Sequence, residues 1–121
     1  MSSIHRRLDG GALLLDLGSE RREAIASMAP AGRIARTLIK GDLLRVTMVV
    51  LAPGGGIPEH QADGAITVQP LEGAIRFSAL GEVHELQAGQ LLSLAPGVRH
   101  SVTSPDGATF LLTVAVGREV P

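Results

Sequence analysis

At 121 residues the chain has the length of one domain, enough to bury a core and too short to divide into two. Eleven Lys and Arg against twelve Asp and Glu leave a net charge of -1, and Phe77 and Phe110 are its two aromatic residues, which excludes both the basic footprint and the stacking platforms of a nucleic-acid binder. The absence of cysteine excludes a disulfide framework, a thiolate nucleophile and sulfur ligation, so a transition metal would depend on His, carboxylate or amide groups.

At the N-terminus, His5, Arg6 and Arg7 precede an apolar stretch, but Asp9 and Asp16 bracket a run too short for a secretion signal. No segment approaches the roughly 20 apolar residues of a membrane helix, so a soluble, cytoplasmic protein without a membrane partner is expected. His5 is assigned to a mobile tail. Ser19 is the expected cap of a short helix from Glu20 to Met28, with Ile25 and Met28 on one face and Arg21 and Arg22 on the other. Ala29, Pro30, Ala31 and Gly32 stop it. Residues 1–32 therefore read as an N-terminal segment whose helix covers a larger body, and residues 33–121 as that body.

From Arg33 the pattern changes to short runs of Val, Ile, Leu and Thr broken by Gly, Pro and Asp, an all-β rhythm. Strands are expected at residues 33–40, 43–51, 57–62, 65–71, 74–80, 83–86, 91–95, 99–104 and 108–116. Alternation places Leu44, Val46, Met48 and Val50 on one face, Ile75 with Phe77, and Phe110, Leu112, Val114 and Val116 on one face. Asp63-Gly64 carries the signature of a two-residue hairpin. Faces this apolar on so many short strands require a closed barrel or a two-sheet sandwich.

Two stretches carry a family signature. Residues 53–73 run from Pro53-Gly54-Gly55-Gly56 through His60 to Gly73, and residues 89–100 run from Gly89 through Pro96-Gly97 to His100. Together they resemble the two motifs of the cupin superfamily, which implies a double-stranded β-helix, or jelly-roll, barrel. A complete site of that family carries three histidines and one glutamate; here His60 and His100 remain, while Ala62 and Ile66 stand at the second histidine and the glutamate. The resemblance also implies a homodimer.

Two functions from different classes follow. In the first, the apolar lumen binds a small organic molecule, for sensing or other non-catalytic use, with His60 and His100 as polar handles and Met48, Ala62, Ile66, Val68, Phe77 and Val102 as lining. In the second, the barrel is a metal-dependent enzyme of oxygenase or isomerase type, with His60 and His100 holding Fe, Mn, Ni, Cu or Zn. Gln69 is the candidate third ligand, because Pro70 cannot donate to a ladder and marks a bulge that re-aims its neighbour. His84 reads as a surface residue. Gly54-Gly55-Gly56 lacks the Lys-Ser or Lys-Thr of a phosphate loop, and no serine has a nucleophile-elbow context, so no catalytic residue is assigned.

Overall fold

Strand formation begins where the alternation begins, at Arg33. The computed structural model describes residues 11–28 and 32–116. Within them lie one helix, α1 (Leu17–Ala26), and the strands β1 (Arg33–Lys40), β2 (Leu44–Leu51), β3 (Gly55–His60), β4 (Ile66–Ala79), β5 (Glu82–Gln87), β6 (Leu92–Leu94), β7 (His100–Ser104) and β8 (Ala108–Ala115). His5 and the helix stop at Ala29 to Ala31 lie outside the described residues.

Every strand pairing is antiparallel, in the order β1-β2-β8-β4-β7-β3, with β5 and β6 also paired to β4. β4 is the element that closes the sheet on itself. Its first half pairs with β8 and β6, and its second half with β5 and β7. The sequence suggests two strands here, separated by a turn at Glu72-Gly73. Instead, a register shift between Pro70 and Glu72 and a positive φ of 74° at Gly73 bend one continuous strand from one half of the barrel into the other. The expected all-β jelly-roll barrel with a short N-terminal helix is thus the architecture observed.

Asp63-Gly64 is not a hairpin. It joins β3, which pairs with β7, to β4, which does not pair with β3, so the chain crosses between the halves of the barrel at this point. The tight hairpin lies at Leu80-Gly81. Both residues have positive φ, 54° and 77°, and Ala79 and Glu82 close the turn as a cross-strand pair.

Two apolar cores flank the first half of the sheet. Val49, Leu51, Ile66, Val68, Ile75, Phe77, Val102 and Phe110 form one cluster on the inner face of the barrel, while Ala24, Leu38, Met48 and Val50 pack on its outer face beneath α1. Val46, Met48 and Val50 share a face as alternation requires, but it is the outer one, so Met48 is not a lumen residue. With a helix covering the outside, both faces of β2 are buried, and the in-out contrast that alternation relies on is lost.

α1 starts one turn before the expected site. Asp16 is extended and its Oδ1 accepts the Ser19 N–H at 2.9 Å, which holds its carboxyl below the usual carboxylate range; Ser19 itself lies within the helix. The buried face consists of Glu20 and Ala24, and Ile25 is exposed. Glu20 can be buried because Arg36 reaches it from β1, donating from Nε to Glu20 at 2.8 Å and from Nη2 to Glu23 at 2.6 Å. Arg21 ties the same helix to the barrel through Thr109 Oγ1 at 2.9 Å and Glu72 at 3.2 Å.

Candidate functional site

β3 and β7 bring His60 and His100 together. His60 and His100 are direct cross-strand partners, so their side chains leave the sheet on the same face. Their ring centroids lie 4.2 Å apart in an edge-to-face arrangement. A register shift between Ile57 and His60 accommodates Pro58, which has no N–H to give to the ladder.

Each ring is oriented by its own strand. His60 Nδ1 lies 2.9 Å from the Pro58 carbonyl oxygen, and His100 Nδ1 lies 2.9 Å from that of Val98. A carbonyl only accepts, so Nδ1 carries the proton in both rings and Nε2 of the neutral form carries a lone pair. His100 is buried, with Phe77 stacked on it at 5.2 Å and 14°. Burial lowers the pKa of His100 by penalising the charged ring, and the adjacent His60 lowers it further, against the pull of the Val98 carbonyl. At neutral pH the His100 handle is an uncharged imidazole.

Phe77, which stacks on His100, belongs to an inner core of hydrocarbon. Ile66, Val68, Phe77 and Val102 are buried in the inner core, and Ala62 packs against it from the rim. Ile57, Leu92, Leu94 and Val98 join the same core, half-buried. Sequence reasoning passed over these four, although Leu92 and Leu94 alternate about Ser93 as a lining strand must. Gln69 is exposed. The bulge foreseen near Pro70 does occur, but it falls after that residue; Ile66, Val68 and Pro70 take the buried face and Gln69 the opposite one. His84 stands opposite Phe77 on β5, half-buried, 3.9 Å from Glu82. Ser104 is buried and donates to the Ala74 carbonyl at 2.7 Å, a structural bond.

The donor set does not fit a resident catalytic metal. No group of three or more His, Cys, Asp or Glu side chains converges among the described residues. Ala62 and Ile66 carry no donor atom, which leaves two imidazoles, whereas a working catalytic zinc site, for example, holds its ion with three protein ligands.

No curated protein matches the chain by sequence. Solved structures do match by fold. A conserved protein of unknown function from Streptococcus pyogenes has a TM-score of 0.73 and 25% identity, over 98% of this chain and 98% of its own. An RmlC-like cupin from Shewanella frigidimarina gives 0.69 and 21%, over 76% and 83%. The cupin domain of an XRE family transcriptional regulator from Enterobacter cloacae gives 0.64 and 21%, over 72% and 99%. The sequence model of the cupin domain matches residues 47–116, more than half of the chain and the segment that holds His60 and His100, and the chain belongs to the cupin domain family.

Proposed function

We propose that this protein binds a small organic molecule in the lumen of its barrel without transforming it, in a sensing or carrier role. The observation that carries this reading is the chemical character of the barrel interior: two imidazoles, each oriented by a backbone carbonyl, with Phe77 of the aliphatic inner core stacked on one of them. Such a surface offers apolar contact for most of a ligand and a few convergent polar atoms for its orientation, the usual make-up of a small-molecule pocket. The hydrocarbon at Ala62 and Ile66 adds to the apolar part.

The metal-dependent alternative draws on one feature. An Nδ1–H bonded to a carbonyl is how a metal-ligating histidine is commonly held, with Nε2 left for the ion. Against it stands the two-imidazole donor set. Elemental analysis of protein purified without a His-tag separates the readings: metal well below one equivalent is expected. A full equivalent that disappears in the His60→Ala, His100→Ala double variant would overturn the proposal. A thermal-shift screen against small organic acids, amides and alcohols supplies the positive arm, because a ligand at 100 times its dissociation constant stabilises by about 2.7 kcal/mol.

A further inference from the structure

The strand register extends the inner wall to the mouth of the barrel. Directly opposed residues share a face, so each cross-strand row can be followed across the first half of the sheet. One row runs Thr47, Leu112, Val68, Leu92; the next runs Arg45, Val114, Ile66, Leu94. Val114, Ile66 and Leu94 all belong to the inner core or pack against it, which places Arg45 on the lumen side. Beyond Arg45 the row ends at Lys40, the chain's single lysine, on β1.

Two cations thus stand directly opposite each other, an arrangement that costs stability unless an anion answers it. Among the described residues neither makes an ion pair or a side-chain hydrogen bond. Every other described arginine has an acceptor: Arg21, Arg36, Arg76 and Arg99 pair with glutamates, Arg22 donates to Ser19 and Arg33 to the Gly56 carbonyl. Arg45 also lines a cavity of about 410 Å³ together with Gln61, Ala62, Asp63, Val114 and Val116. Ala62 and Val114 pack against the inner core as well, so this cavity adjoins the lumen wall. Asp63 is the one carboxylate that lines this cavity and makes no ion pair with Arg45, and Asp42, in the turn between Lys40 and Arg45, makes none with either cation.

We infer that Arg45 and Lys40 form an anion subsite at the barrel mouth, which receives the carboxylate of a small organic acid whose apolar body lies along the inner wall. The inference rests on the lumen-binding reading above and names the ligand class for it. A guanidinium fork matches a carboxylate with two parallel hydrogen bonds, and the neighbouring ammonium adds charge without imposing geometry. An apolar acid suits the site better than a free inorganic anion because the rest of the row is Val114, Ile66 and Leu94.

Hexanoate and its uncharged counterpart hexanamide serve as probes. They are titrated into the full chain by calorimetry, with the imidazole NMR signals of His60 and His100 followed in parallel. Hexanoate is expected to bind about tenfold more tightly than hexanamide, one charge-assisted contact's worth of discrimination, and Arg45→Gln to remove that preference. Lys40→Gln is expected to reduce it in part. Arg45 is exposed, so its replacement should leave the fold intact and, by relieving the like-charge pair, raise the unliganded melting temperature. Equal affinities for the two probes, or an Arg45→Gln variant that keeps the preference, would overturn the subsite while histidine signals that respond keep the lumen reading. Signals that respond to neither probe at millimolar concentration would count against both.

Discussion

His100 is the residue on which local structure and chemistry meet. Its ring is a wall of the lumen, a stacking partner of Phe77 and a titratable group whose pKa lies below the ordinary histidine value of 6.5, chiefly because it is buried. The unfolded chain therefore takes up this proton at a higher pH than the folded chain does. Above the ordinary value the His100 contribution is constant; as pH falls from there toward the depressed folded value, proton binding favours the unfolded state and stability declines. Thermal melts between about pH 7 and pH 5 should show a falling melting temperature in the native protein. A His100→Gln variant should flatten that slope. An unchanged slope would place the pH dependence on other groups.

At the scale of elements, two backbone positions control how the strands are joined. Gly73 bends β4 at a φ of 74°, and a Cβ there would run into the Gly107 carbonyl oxygen and crowd Ala108. Gly73→Ala is expected to destabilise by about 3 kcal/mol, from a disfavoured backbone conformation added to a steric clash, as read by urea titration. Leu80 poses the reverse case. It holds a φ of 54° in a two-residue turn while 77% exposed, so its side chain gains little from packing and its backbone conformation is costly. Leu80→Asn creates the Asn-Gly pair that such turns prefer, and should raise stability by about 1 kcal/mol without altering ligand binding. A loss of stability would show that Leu80 is held by contacts not apparent from its exposure.

For the molecule as a whole, a helix with only Glu20 and Ala24 buried must still be fastened onto the barrel. α1 buries little hydrocarbon beyond Ala24, and its attachment is ionic: Arg36 on β1 grips Glu20 and Glu23, and Arg21 bridges to Glu72 and Thr109. The Arg36 and Glu20 side chains are only 14% and 8% exposed, so removing the cation takes a charge-assisted hydrogen bond from a buried carboxylate. Arg36→Ala should cost about 3 kcal/mol, and Arg36→Met combined with Glu20→Leu should recover most of the loss, because a packed apolar pair avoids the desolvation of both charges. If the double variant is no more stable than the single one, the helix is held by its other contacts. The helix also explains the outer core, since Leu38, Met48 and Val50 would face water without it.

The all-β rhythm from Arg33 onward and the two motifs that contain His60 and His100 are legible in the sequence, because alternation, glycine-proline punctuation and motif spacing are local and survive in one dimension; that the two histidines are direct cross-strand partners is not. Phe110, Leu112 and Val114 share one face as alternation requires, and it is the inner one. What only the tertiary structure decided is which of two apolar faces looks inward. Met48 lies under α1 and not in the lumen, Gln69 turns outward, Glu20 is buried, and β4 runs unbroken through a glycine that resembles a turn. Each of these depends on a partner distant in the chain: a covering helix, a bulge set by pairing with β8, an arginine from β1, the two halves of a sheet. Periodicity reports that a face is buried, but the identity of what buries it is a property of the assembled barrel.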